Sequence, residues 1–241
     1  NQILWDSIAQ RFLLVTRTDL KAKSGPQEVR ASRIMAHVKG NDLKTHPAAW
    51  EMLTVLAIDT PESGDSQTDN EMLQMESLNV WTYENIYFGL MHVLKTGELT
   101  GSQGQVPLSD PDKRPDADVI DYYLGTSRNG KDFDLSWVDA GTPFIERGPD
   151  GSFDQAAVQP ASEILTLGDE HWIYYTGMYH PHHSPPGARY ESGKVGLARL
   201  PLDRFIGQQA GDEVGILTTR PFRLEGDRLD VNVSALKGLI R

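Results

Sequence analysis

Residues 171–177 read HWIYYTG, an aromatic-rich strand pattern that occurs three times in this chain of 241 residues. The other two copies are RFLLVTR at 11–17 and NIYFGLM at 85–91. Each copy has a second strand-like segment after it: SRIMAHV at 32–38, YYLGTSR at 122–128 and KVGLARL at 194–200. The first segments start 74 and 86 residues apart. A β-rich unit repeated at this spacing predicts a repeated sheet architecture.

Period-2 alternation dominates the chain, which predicts an all-β fold. Segment 48–58 (AAWEMLTVLAI) follows Pro47 and could form a short helix, but a strand followed by a loop is favoured. Four-stranded units with long insertions suggest the blades of a β-propeller, at about 1–58, 71–144 and 152–210. Residues 211–241 would form a final strand or linker and the start of a β-sandwich. Propellers have 4–8 blades, so we expect further blades before Asn1.

Three segments are rich in turn-forming or charged residues and are predicted to be loops: 59–71, 96–116 and 179–193. Long loops between short strands usually carry the functional residues of such folds. The pair Asn129-Gly130 is a strong signal for a tight turn.

The chain is acidic, with 34 Asp and Glu against 23 Lys and Arg and a formal net charge of −11. This charge disfavours binding to nucleic acid or to an anionic membrane surface, and a neutral polar ligand such as a sugar suits it better. There is no cysteine, which excludes disulfides and thiol catalysis. No apolar run is long enough to predict a membrane span. The sequence does not fix the compartment, although a secreted or periplasmic location is compatible with it, nor does it fix an oligomeric state.

The segment QMESLNVWTYENIYF at 74–88 resembles five-bladed glycoside-hydrolase propellers, the architecture of arabinanases, β-xylosidases, invertases and levansucrases. The second half is similar to bacterial glycosyl-hydrolase-like proteins in four stretches: LGTSRNGKDFDLSW, IERGPDGSFDQAAVQPAS, GDEHWIYYTGMYHPHH and GDEVGILTTRPFRLEGDRLDVNV. The resemblance covers about residues 70–240. It implies a protein that acts on an oligo- or polysaccharide without a cofactor, although a structural cation in the propeller axis is compatible with it.

Glycoside hydrolysis generally needs two carboxyl groups, one acting as acid and one as base or nucleophile. Glu76 occupies the position of the family's general acid, although a solvated charge at a strand end is an equally good interpretation. Asp154 is either a second carboxylate or the cap of the turn after Gly151. Gln159 corresponds to Glu76 in the next blade and could bind sugar hydroxyls but not transfer a proton. Glu163 is a third carboxylate, with a rim position favoured.

The family's base or nucleophile lies in an earlier blade, so this chain could hold the acid without its partner. Asp6 is better explained as a β-turn residue than as that partner.

The histidines His180, His182 and His183 form a cluster interrupted by prolines. They fit a sugar pocket, a metal site or a plain surface. Arg147 could clamp a sugar, but an ion pair with a nearby Asp that anchors its loop is favoured. Tyr179 is the aromatic residue most expected to be exposed, and Trp81 is another candidate for sugar stacking.

Three hypotheses follow from these observations. The first is a glycosidase that uses Glu76 as proton donor. The second is a non-catalytic carbohydrate-binding propeller that has lost one carboxylate. The third is a purely structural propeller or interaction module.

Overall fold

The computed structural model describes residues 1–21, 28–58, 73–95, 119–181, 193–208, 210–211, 213–224, 226–229 and 231–234. Strands make up 50% of these residues, and the one helix in them, α1, is the four-residue segment Ser136–Asp139. In this described part, no helix is long and apolar enough to cross a bilayer. The predicted all-β class is therefore confirmed.

The first sheet is an antiparallel meander in which four strands follow one another in chain order. Its strands are β1 (Gln2–Asp6), β2 (Arg11–Lys21), β3 (Glu28–His37) and β4 (Trp50–Leu56). The first predicted pair of segments, 11–17 and 32–38, lies in β2 and β3 except for residue 38. Segment 48–58 forms a strand rather than a helix, as its alternation favours.

The second sheet has the strand order β11-β10-β8-β7-β6-β5, with β9 paired to β10. Its strands are β5 (Leu73–Tyr83), β6 (Ile86–Lys95), β7 (Val119–Ser127), β8 (Ala157–Pro160), β9 (Leu165–Leu167), β10 (Glu170–Met178) and β11 (Gly193–Pro201). A single parallel pair, Ile120 with Ala157, joins β7 to β8. The sheet therefore consists of two antiparallel groups with a narrow connection.

Two tight turns follow from local sequence. Glu84 and Asn85 have φ values of 44° and 62°, and they connect the last pair of β5 and β6, Tyr83 with Ile86. Two central residues with positive φ are the mark of a type I′ hairpin turn, which matches strand twist. After β7, Asn129 Oδ1 accepts hydrogen bonds from the N–H groups of Lys131 and Asp132, so the predicted Asn129-Gly130 turn is present.

The main core lies between the first sheet and the β5–β7 group. Alternate residues of β2 and β3 face it and are fully buried: Leu13, Val15, Ile34 and Ala36. The second sheet supplies Met75, Leu78, Val80, Tyr87, Met91, Val93 and Tyr123 to the same cluster. Because side chains alternate along a strand, one face of each sheet supplies the residues that pack together in this core.

The opposite face of the first sheet is also apolar, although it is exposed. One row of cross-strand partners runs over all four strands and consists of Ile3, Leu14, Met35 and Met52. Beside this row, Trp5 contacts Phe12 edge to face at 5.0 Å. Ile3, Trp5 and Met52 are among the exposed large apolar residues. The first sheet therefore carries apolar side chains on both faces, with polar ones beside them on the outer face.

The chain divides into two compact units, residues 1–164 with 173–198 and residues 165–172 with 199–241. In the smaller unit, His171 is buried against Phe205 and accepts the N–H of Asp203 on Nε2. The described residues from 202 to 234 contain no strand. The blade boundaries and the β-sandwich after residue 211 stay predictions.

His92 on β6 predicts a loss of stability in mild acid. Its Nε2 is buried without a hydrogen-bond partner among the described residues, and burial lowers the pKa of His92 to about 4 from 6.5. His92 is therefore protonated below about pH 6.5 in the unfolded chain but only below about pH 4 in the folded chain. We expect the free energy of unfolding to be about 2 kcal/mol lower at pH 5 than at pH 7.5 because of this group.

Urea unfolding at the two pH values measures this loss. His92→Gln should remove about 2 kcal/mol of the difference between them. An equal pH dependence in the wild type and His92→Gln would contradict the assignment.

Candidate functional site

Two amide side chains hold β1, β5 and the end of β8 side by side. Gln2 Nε2 donates to the carbonyl oxygens of Val80 at 3.0 Å and Ser162 at 2.9 Å, and its Oε1 accepts the Val80 N–H at 2.7 Å. Asn79 Nδ2 donates to the carbonyl of Ala161, 82 residues further along the chain, at 3.2 Å. Residue 79 contacts residue 161, and Gln2 contacts both residue 80 and residue 162. The residue numbers rise together, so β5 and the end of β8 run in the same direction here.

Glu76 lies on β5 at an irregularity, where the pairing with β6 shifts between Met75 and Ser77. The side chain of a residue at a bulge points in a different direction from those of a regular strand. The Glu76 side chain contacts two arginines of the first sheet. Arg17 Nη1 lies 3.2 Å from Oε1, and Arg30 Nη1 contacts Oε2. Glu76 thereby joins β5 to β2 and β3 through its two carboxylate oxygens.

Gln159 lies on β8, where it pairs with Thr176 of β10. The 82-residue offset between Asn79 and Ala161 brings Gln159 level with Ser77, the residue after Glu76. The sequence alignment matches Gln159 to Glu76, whereas the offset in the structure matches Gln159 to Ser77. The difference of one residue falls at the irregularity of β5. In the order of the second sheet β6 and β7 lie between β5 and β8, so the level of Gln159 relative to Glu76 is inferred from the Asn79–Ala161 contact alone.

Asp154 is buried in the loop before β8. Its Oδ1 accepts the Ser152 hydroxyl at 2.8 Å, and its Oδ2 accepts the Tyr175 hydroxyl at 2.9 Å. Burial, with the hydrogen bond to Asp154 added, raises the pKa of Tyr175 to about 12. Tyr175 therefore remains a neutral hydrogen-bond donor that orients the carboxylate.

Arg147 forms an ion pair, although its partner is Asp121 of β7 and not an Asp near it in the sequence. Its Nε donates to Asp121 Oδ1 at 2.7 Å, and its Nη1 donates to the carbonyl of Gln155 at 3.1 Å. Lys95 Nζ lies 2.8 Å from the other carboxylate oxygen of Asp121. Asp121 is thus a buried carboxylate held by two cations, and it fixes the loop that carries Asp154.

Gln155 connects this loop to the segment after β10. Its Nε2 donates to the Tyr179 carbonyl at 2.9 Å, and the exposed Tyr179 ring contacts the His180 ring edge to face. The loop before β8 and the segment after β10 therefore lie side by side. Together they carry Arg147, Asp154, Tyr179 and His180. His182 and His183 lie outside the described residues, and among the residues that are described no three His, Asp or Glu side chains form a metal-binding group.

The remaining candidates lie elsewhere. Trp81 is buried and stacks on Tyr83 at 5.0 Å, which leaves little of the ring for a sugar. Glu163 is exposed in the turn after β8. Asp6 has the turn role expected of it, because its Oδ1 accepts the N–H groups of Ile8 and Ala9, both at 3.0 Å.

Sequence reasoning missed Arg17, Arg30 and Asp121. The signal for Asp121 is a lone carboxylate inside the aromatic strand VIDYYLGTS, because a charge in a buried strand needs a partner. The two arginines give no such signal, and only their contact with a residue far along the chain distinguishes them.

No family model and no curated protein matches the sequence. Among solved structures, it is similar to a glycoside hydrolase with a TM-score of 0.46 at 10% identity, covering 88% of this chain and 48% of that one. A second is an N-acetylgalactosamine deacetylase from F. plautii in complex with blood group B trisaccharide, with a TM-score of 0.44, 14% identity, and coverage of 84% and 50%. A third, an RGII complex, has a TM-score of 0.45 at 9% identity, with coverage of 82% and 44%. The sequence spans about half the length of these structures.

Proposed function

We propose that this chain is part of a glycan-acting β-propeller of five blades, with glycoside hydrolysis as its reaction. The contacts of Gln2 and Asn79 support the architecture, since they join the first strands of three successive sheet groups side by side. The first sheet, with apolar side chains on both faces, suits a blade with a neighbour on each side.

The observation that carries the proposal is the contact of Asn79 on β5 with the Ala161 carbonyl just after β8, from which we infer that Glu76 and Gln159 lie at a similar level. A carboxylate and an amide at this level can accept and donate hydrogen bonds to the hydroxyls of one sugar. Arg147, Asp154, Tyr179 and His180 would supply the wall of the site from the loop before β8 and the segment after β10. Asp154 would be the second carboxylate.

A second candidate function, non-catalytic glycan binding, is favoured by the contacts of Glu76. Both of its carboxylate oxygens contact guanidinium groups of the first sheet, as those of a structural ion pair do. A hydrolase that uses Glu76 as acid would have to release it from at least one arginine during the reaction. A binding protein would need no such change.

Glu76→Gln tests the hydrolytic proposal. If Glu76 is the proton donor, we expect turnover of a panel of arabino-, xylo- and fructo-glycans to fall by about 10² to 10⁴-fold, since an amide cannot transfer the proton. Release of reducing sugar measures turnover, and glycan affinity is measured in parallel. Glu163→Gln is the matched control, because Glu163 is exposed in a turn, and its turnover should be unchanged.

The outcomes separate the two functions. Unchanged turnover in Glu76→Gln contradicts the role of Glu76 as general acid. Measurable glycan affinity without any turnover in the wild type supports the binding function. A panel that is neither bound nor cleaved contradicts both.

A further inference from the structure

The turn after β7 contains the one Asn-Gly pair of the chain, Asn129-Gly130. In such a pair the backbone nitrogen of the glycine can attack the asparagine side chain, since glycine has no Cβ to hinder it. The Gly130 nitrogen loses its proton and bonds to Asn129 Cγ, and the Cγ–Nδ2 bond breaks and releases ammonia. Water then opens the resulting succinimide ring and leaves aspartate or isoaspartate at position 129. The fold decides whether these atoms can meet.

The attacking nitrogen is held by a serine. The Gly130 N–H donates to Ser127 Oγ at 3.0 Å, and Gly130 is buried. Its φ is 69°, and a Cβ built on it would lie 3.1 Å from the Tyr87 ring. The proton that must leave therefore faces a hydroxyl group, which is a weak base, and not a solvent base.

The group that would be attacked is held as well. Asn129 Oδ1 accepts the N–H groups of Lys131 and Asp132, both at 2.9 Å, and the Ser127 hydroxyl at 3.1 Å. Asn129 Nδ2 donates to Asp132 Oδ2 at 2.7 Å. Moving Cγ onto the Gly130 nitrogen must break these contacts. The three donors also draw electrons from Cγ, which favours attack, so the turn contains two opposing effects.

We propose that Asn129 is a deamidation site and that Ser127 keeps it unreactive in the folded protein. The Ser127 hydroxyl holds both the nitrogen that attacks and the oxygen of the group that is attacked. The restraint outweighs the polarisation of Cγ, because ring closure cannot begin before Ser127 releases these two atoms. The site is independent of the glycan function.

Deamidation would change the packing of the segment after the turn. The new carboxylate would replace the amide that donates to Asp132, and the two negative charges would repel each other. Isoaspartate would also lengthen the main chain just before Phe133, which packs in the main core, and before Asp134, which pairs with Thr126. Ser127 therefore protects the connection of this segment to β7.

The test is the rate of deamidation in mildly alkaline buffer, measured by mass spectrometry of the peptide that contains Asn129 and by separation of its isoaspartate form. We expect the folded wild type to react at least about tenfold more slowly than the same chain unfolded in guanidinium chloride. Folded Ser127→Ala should react about tenfold faster than the wild type, because the hydrogen bonds to Oγ are lost. Ser127→Thr keeps the hydroxyl and should react at the wild-type rate.

Gly177→Ala is the control for a general loss of stability, because its Cβ would overlap the Phe153 ring, far along the chain from the turn. Its rate should equal that of the wild type. Equal rates in the folded and unfolded wild type overturn the proposal. A Ser127→Ala rate equal to or below that of the wild type also overturns it, since polarisation of Cγ would then dominate. If Gly177→Ala reacts as fast as Ser127→Ala, unfolding explains the reaction and the role of Ser127 is lost.

Discussion

Replacing Asp6 with alanine should lower the free energy of unfolding by about 3 kcal/mol. The carboxylate is fully buried and ends β1 by capping the turn at Ile8 and Ala9. It also accepts the Tyr87 hydroxyl on both oxygens at 3.0 Å. Alanine removes the cap, leaves a buried hydroxyl unsatisfied and takes away the ion-pair partner of Arg11. Each of these losses costs about 1 kcal/mol or more.

Urea denaturation measures the loss, which corresponds to about a 10 °C drop in Tm for a domain of this size. Asp6→Asn keeps an oxygen for the turn and should cost less than half as much. Asp42→Ala is the matched control, since Asp42 makes a similar but exposed turn contact with the Thr45 N–H, and it should destabilise the protein much less than Asp6→Ala does. If Asp6→Ala is no more destabilising than Asp42→Ala, the hydrogen bonds between Asp6 and Tyr87 contribute nothing to the free energy of unfolding.

Gly177→Ala should destabilise the protein by about 3 kcal/mol and displace Asp154. A Cβ on Gly177 would overlap the Phe153 ring and lie 2.6 Å from Asp154 Cβ. Gly177 is the register partner of Val158 within the sheet, so the strand cannot move aside without breaking its pairing. The loop that carries Asp154 must move instead, and its hydrogen bond to Tyr175 is lost with it.

Glycan affinity and stability to urea should therefore fall together in Gly177→Ala. Adding Phe153→Leu shortens the ring that the new methyl meets and should restore part of the stability. Gly193→Ala is the control, because a Cβ there meets no atom of the described residues within 4 Å. Wild-type stability in Gly177→Ala would mean that the close contact between the loop and β10 is not maintained in solution.

The strands could be predicted from the sequence because each obeys a local rule. Alternation located β2, β3, β6 and β7, and Asn129-Gly130 located a turn, since both signals depend only on neighbouring residues. The same alternation correctly favoured a strand at β4, where an Ala-rich start could have suggested a helix.

The site was less predictable because its contacts join distant residues. Glu76, Asp154 and Gln159 can be chosen from their motifs, but the arginines that bind Glu76 lie 59 and 46 residues away from it. The Asp121–Arg147 pair spans 26 residues. Trp81 is a stacking candidate by residue type, yet whether an aromatic ring faces solvent or a neighbouring ring depends on packing that no local pattern encodes.

The Gln2 side chain has a consequence for how the protein behaves in concentrated solution. Among the strands that the structure describes, β5 is the last of its sheet, and a strand in that position can recruit another chain through its unpaired backbone groups. Gln2 occupies both the N–H and the carbonyl of Val80, as a paired residue of a neighbouring strand would do. One amide side chain thus blocks part of this edge against intermolecular strand addition, and its removal would open a path to aggregation.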